Sequence, residues 1–154
     1  TIEGQFQNLI DMREKPLACL TAAGRAIRNS PGILSDLSRV LADADINVDA
    51  VASGMDSVSF YVDEDAAERA ENVLHQAVID LEELSSVTVD DDIAVIRITG
   101  GELPNQSGIL QEIIAPIAAE HINIQDLITS ATSIAVFLDW DDREQALEII
   151  QNAV

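Results

Sequence analysis

The sequence has little positive charge. Lysine and arginine number 8 against 28 aspartates and glutamates, a formal net charge of −20, and Lys15 is the sole lysine. Nucleic acids and anionic membranes reward Lys and Arg, so neither is expected as a partner. No apolar run reaches the roughly 18 residues of a membrane-spanning helix. The single cysteine, Cys19, excludes an internal disulfide framework and a cysteine zinc site. There is no initiating Met, basic leader or apolar signal segment, so the chain reads as a piece of a longer protein. Its cysteine usage fits a reducing, cytoplasmic setting.

What is present suits a folded protein. Hydrophobic residues make up 47% of 154 positions, enough for a core in one ordinary domain or two small ones. The acids are scattered over many turns and helix faces rather than gathered in a tail. Their self-repulsion destabilises a compact state at low ionic strength. Molar salt screens it, the Debye length falling to roughly 3 Å at 1 M. Abundant Asp with almost no Lys resembles the proteome bias of extreme halophiles.

The sequence also repeats itself. Shifted by 76 positions, it aligns on itself without a gap. Gly24 falls on Gly100, and Asn29 on Asn105. Gly32-Ile33-Leu34 falls on Gly108-Ile109-Leu110, and Ile46-Asn47-Val48 on Ile122-Asn123-Ile124. Two units are too few for a solenoid and point to a duplicated small domain.

Each unit reads alike. Leu17 to Ala23 and Ile93 to Thr99 are apolar runs ending at glycine, which suits strands. Ile33, Leu34, Leu37, Val40 and Leu41, and later Ile109, Leu110, Ile113, Ile114 and Ile117, space an apolar helical stripe. Pro116 predicts a kink or local break in the second of these helices. Asn47 to Ala52 and Asn123 to Ile128 read as strands, as do Val58 to Val62 and Ile134 to Leu138. Asp63 and Asp139 are placed to cap second helices running to about Val78 and Val154. The order is β-α-β-β-α, an α+β arrangement with helices on one face of an antiparallel sheet. Ser86 to Val89 gives the first unit a fourth strand. The second unit stops without one, and the segment Phe6 to Arg13 is placed to supply it.

The strand–Gly, the Gly before an apolar helix, Ile46-Asn47-Val48-Asp49 and the run Ser53 to Asp63 together resemble the ACT domain. So do Ile122-Asn123-Ile124-Gln125 and Thr129 to Asp139. The tandem pair with its leading strand resembles the C-terminal regulatory region of aspartate kinases over essentially the whole chain. The resemblance implies two ferredoxin-like β-α-β-β-α-β units. Residues 16–90 form the first, and residues 1–15 with 91–154 the second, interleaved so that the N-terminal strand completes the second. It implies a first unit that binds an end-product amino acid, lysine or threonine. It also implies a homodimer or higher oligomer through ACT–ACT pairing, and a partner kinase domain in the parent chain that handles ATP and aspartate. No glycine-rich phosphate loop is present, so no catalysis is assigned to this chain, and no cofactor or metal is expected.

An amino-acid effector carries an ammonium and a carboxylate. The loop Asn29, Ser30, Pro31, Gly32, Ile33 precedes a helix, whose first N–H groups favour an anion. By the resemblance, Asp49 receives the ammonium. Asn47, Val48 and Ser53 complete the expected set, and Asp56 is available for a basic side chain. Asn47 and Asn123 equally suit a helix-to-strand turn with left-handed backbone, and Gly32 and Gly108 suit turns. Gln125 replaces Asp49 in the second unit, and Thr132 replaces Asp56, so Ser107, Gly108, Asn123 and Gln125 form at most a weaker, secondary site.

The other polar residues read more simply. His75 and His121 are too far apart in sequence to suggest a metal pair, and Cys19 alternates in a strand as a small core residue. Asp90-Asp91-Asp92 and Asp139 to Asp142 lack the EF-hand spacing and read as solvated turns or caps. Trp140 is placed for partial exposure at an interface. A free-standing tandem sensor, a separate regulatory subunit and a purely structural dimerisation module stand beside the leading reading.

Overall fold

A computed structural model describes residues 9–25, 27, 30–100 and 108–153 of the chain. Asn29 and Ser107, and the expected strand residues before Leu9, lie outside the described residues. The chain divides into two compact units, Leu17–Asp91 and Thr1–Pro16 with Asp92–Val154.

In the first unit, strands β2 (Leu17–Ala23), β3 (Val48–Ser53), β4 (Ser57–Asp63) and the first part of β5 (Ser86–Thr99) form one sheet. The order is β3-β4-β2-β5, which leaves β3 at the edge. Helices α1 (Ile33–Asp43) and α2 (Ala67–Asp80) pack on one face. Leu37 and Leu41 from α1 and Leu74 from α2 meet Leu20, Phe60 and Val62 of the strands, and all six are fully buried. This is the period of 3.6 facing the period of 2 that the apolar spacing encodes. Side chains alternate along β2, so Leu17 and Cys19 point to the other face with Thr21. There Cys19 Sγ lies 3.8 Å from Thr21 Oγ1, which is 2.8 Å from Ser59 Oγ. Burial pushes the Cys19 thiol above its ordinary pKa, so it stays a neutral, inert core group.

In the second unit, β5 pairs with β7 (Ser133–Asp139), which pairs with the edge strand β6 (Ile124–Thr129). Strand β1 (Leu9–Met12) pairs antiparallel with β5, Leu9 opposite Thr99 and Met12 opposite Ile96, and so completes this sheet. Helices α3 (Ile109–Ala119) and α4 (Arg143–Ala153) bury Ile113, Ile117 and Ile150 against Ile96, Ile98 and Val136. Each unit is thus a β-α-β-β-α-β sandwich, the second borrowing its last strand from the N-terminal segment.

Several expectations need correction. Ser86 to Val89 and Ile93 to Thr99 are one 14-residue strand. Asp90, Asp91 and Asp92 lie within it and are exposed, so they are neither a turn nor caps; Asp92 takes the left-handed conformation, φ 53°. Helix α3 runs unbroken through Pro116. Proline still removes the amide that would bond to the Glu112 carbonyl, a loss its exposed position leaves to water. Short 3₁₀ turns precede α2 and α4; Asp139 accepts from the Asp141 amide at 2.9 Å, but Asp63 makes no capping bond. The left-handed residues after α1 and α3 are Asp45 (φ 56°) and His121 (φ 59°), not Asn47 and Asn123. Trp140 is half-buried against the second core, with Arg143 stacked 4.0 Å from its ring centre.

Gly24 is required for space. It is buried where β2 ends, and a Cβ there would run into the backbone carbonyl of Glu83. Gly24→Ala is expected to cost about 2–3 kcal/mol, the usual toll of overpacking against a backbone that cannot yield. Gly54→Ala meets only ordinary contacts with Ser57 and serves as the control. Urea unfolding in molar salt is the measurement; equal midpoints for the two variants would refute the steric account.

Candidate functional site

The expected site residues of the first unit fall into two groups. Strand pairing sets the ends of the sheet. Ala23 faces Ser57 at one end, and Leu17 faces Asp63 at the other. The amide of Gly24 donates to Asp56 O at 2.9 Å, which brings the β3–β4 turn beside the start of the loop into α1. Ser53, paired with Val58, lies at this same end. So do Ser30, Gly32 and Ile33, which close the loop and open α1.

Gly32 is the residue preceding the helix, with φ 93°, and its carbonyl accepts from the Asp36 amide at 2.8 Å. No atom lies within 4 Å of where a Cβ would stand, so conformation and not crowding calls for glycine here. Gly32, as the N-cap residue, has no side chain to cap α1. The first-turn amides of the helix, apart from Ile33 N–H on Ser30 O at 3.3 Å, lack intrahelical partners, and the helix dipole favours an anion there. Ile33 itself is buried in the core.

Asn47, Val48 and Asp49 stand at the opposite end. Val48 pairs with Val62 and the next matched pair is Ala50 with Tyr61, so Asp49 is an extra residue, a β-bulge in the edge strand. A bulge turns its side chain out of the regular alternation. Asp49 is half-buried, while Asn47 is exposed. Helix α1, 11 residues long, separates this group from the first by about 16 Å along its axis.

The second unit copies this frame with different chemistry. Gly108 precedes α3 with φ 86° and open space around it. Ile124 pairs with Leu138 and Asp126 with Phe137, which makes Gln125 the bulge residue. Gln125 and Asn123 are exposed. The bulge is structural and shared; the carboxylate on it belongs to the first unit alone.

Sequence reading missed the bulge and the residue that braces the turn before it. Arg69 of α2 donates from Nε to Ala44 O at 3.2 Å and from Nη2 to Asp45 O at 3.4 Å. Among the described residues no group of His, Cys, Asp or Glu is arranged to hold a metal, and no helix is long and apolar enough to cross a membrane. A hollow of about 420 Å³ is lined by Asp11, Met12, Arg13, Glu14 and Lys15 and includes none of the expected site residues.

Comparison with known proteins agrees with the fold. Residues 20–78 and 88–152 each match the ACT domain family. The chain belongs to that family and carries two of its domains in tandem. The pair is of the kind found in the regulatory region of aspartate kinases. Over 140 residues it is 26% identical to the aspartokinase of Corynebacterium glutamicum, covering 86% of this chain and 32% of that protein. It therefore spans about a third of that relative's length. The fold matches the ligand-free regulatory subunit of Thermus thermophilus aspartate kinase at TM-score 0.83 and 23% identity, over 97% of each chain. It also matches Escherichia coli aspartokinase III in complex with lysine and aspartate, at TM-score 0.73 and 20% identity, over 94% of this chain and 32% of that one.

Proposed function

We propose that this chain is the effector-binding module of an aspartate kinase, with residues 16–90 and residues 1–15 plus 91–154 as its two ACT domains. It takes an end-product amino acid, lysine or threonine, and works in a reducing cytoplasm of high salt. The observation that carries this reading is the paired frame of left-handed glycine at the helix start and bulged edge strand, with an acid on the bulge in the first unit only. The lysine-bound aspartokinase III of the same fold supports the ligand class. A separate regulatory subunit is the second reading; the regulatory subunit of T. thermophilus aspartate kinase has the same fold.

The two halves of the site are a helix length apart in one unit, so one copy does not close the pocket alone. Strand β3 is the sheet edge. A two-fold pairing of such edges is antiparallel, and sets the Ser30–Ile33 end of one copy against Asn47 to Asp49 of the other. Leu34, Val51 and Met55, on α1, β3 and the β3–β4 turn, are large apolar side chains left exposed in this unit. Their burial would drive the association. The carboxylate of the amino acid then meets a helix N-terminus from one copy and its ammonium meets Asp49 from the second.

Titration calorimetry with lysine, threonine, methionine and isoleucine in molar salt tests the ligand, and light scattering at the same concentrations tests the assembly. We expect a dimer, with binding that weakens on dilution below its dissociation constant. Heat from none of the four amino acids would end the effector reading. A monomer that binds at full affinity would end the shared pocket.

A further inference from the structure

We infer that Arg69 is a positioning residue for the effector site, a conclusion that rests on the function proposed above. Helix α1 has no basic residue in its last turn to meet its outward-facing carbonyls. Arg69 supplies that charge from α2. Its guanidinium bonds the successive carbonyls of Ala44 and Asp45, one residue of helix end and one of left-handed turn. The turn is therefore gripped at the point where the chain reverses from helix to strand. Only Ile46, buried in the core, Asn47 and Val48 separate it from the bulge at Asp49. Holding both carbonyls fixes where the strand enters the sheet, and hence where the extra residue falls and how its carboxylate is aimed.

The duplicate lacks this grip. Gln145 stands where Arg69 stands, 76 positions on, and donates to the Glu120 carboxylate at 3.4 Å, leaving the backbone around His121 to its own bonds. The guanidinium clamp and the bulge carboxylate thus occur together in one unit and are both replaced in the other.

The test is a double-mutant cycle read by titration with lysine and with threonine in molar salt, on the parent chain, Arg69→Gln, Asp49→Asn and the double variant, with a melting curve for each. We expect Arg69→Gln to weaken binding about fivefold or more, the lower range of energetic coupling between separate groups. In the Asp49→Asn background the same change should add little, because there is no carboxylate left to aim. A residue that only caps α1 would lower the melting temperature and leave the affinity of the folded protein alone. Unchanged affinity, or an equal loss in both backgrounds, overturns the inference while the effector reading stands. A parent chain that binds neither amino acid overturns both. If Arg69→Gln does not fold, Arg69→Lys, which keeps the charge and loses the two-pronged grip, carries the same comparison.

Discussion

Raising KCl from dilute buffer to about 3 M should lift the melting temperature of this chain by about 10 °C or more. The cause is arithmetic. Pairing every one of the 8 bases with an acid would still leave an excess of 20 negative charges on 154 residues. Two pairs among the described residues give little in return. Arg39 and Asp36 meet at 3.3 Å on an exposed helix face, and Arg143 and Glu144 at 4.0 Å with the acid largely in solvent. Exposed pairs of this sort are worth at most about 1 kcal/mol each. Repulsion among the remaining acids acts across the whole fold and falls with the Debye length, from about 10 Å at 0.1 M to about 3 Å at 1 M. The unfolded chain spreads the same charges further apart, so screening stabilises the folded state more. A shift of several kcal/mol is the natural scale, at about 2–4 °C per kcal/mol for a chain of this size. Chelator should leave the curve where it is. Equal melting temperatures in dilute buffer and molar KCl would refute both the repulsion account and a halophilic origin.

Much of the fold was written in spacing. The apolar steps of Ile33, Leu37 and Leu41 and of Ile109, Ile113 and Ile117 are the buried faces of α1 and α3. The strand runs fall within a residue of β2, β3, β4, β6 and β7. The borrowed strand followed from counting, because the second repeat ran out of sequence before its last strand and an unused segment stood at the other end. Local chemistry was harder to see. Three successive aspartates look like a turn, yet an exposed strand tolerates them because its ladder uses only backbone groups. Asparagine is the better left-handed residue, and the chain places Asp45 and His121 there because the helices end two residues earlier than that preference suggests. The bulges had a faint signal, since Val48, Ala50 and Val51 break the alternation of two. The candidate site was legible as a set of residue types and not as a pocket. In a β-α-β unit the two ends of the helix lie at opposite ends of the sheet, so a loop before α1 and a strand start after it stay apart within one copy. Arg69 gave no sign in the sequence beyond its mismatch with Gln145, because an exposed arginine on a helix reads as solvated surface.

Asp49→Asn should weaken effector binding by about 1.5–3 kcal/mol, the range of a hydrogen bond made to a charged group. That is roughly tenfold to a hundredfold in affinity. The substitution keeps the size, removes the charge proposed to face an ammonium, and exchanges one acceptor oxygen for an NH2 donor that the ammonium cannot use. The bulge that presents residue 49 is set by the backbone register between Val48 and Ala50, and the same bulge forms around Gln125, an uncharged side chain. Removing the charge therefore leaves the bulge itself in place, and a melting curve for each variant separates loss of fold from loss of binding. Gln125→Ala is the matched control. It occupies the same place in the second unit, is exposed, and carries no charge to lose, so its effect on binding should be far smaller. Both variants are titrated with whichever amino acid binds the parent, in molar salt. Molar salt also sharpens the result, because a long-range field from the other acids is screened there while a contact at hydrogen-bond distance is not. Indistinguishable affinities for the parent and Asp49→Asn would remove Asp49 from the site. A larger loss from Gln125→Ala would move the effector to the second unit, where the ammonium would have to be met by carbonyls and not by an acid.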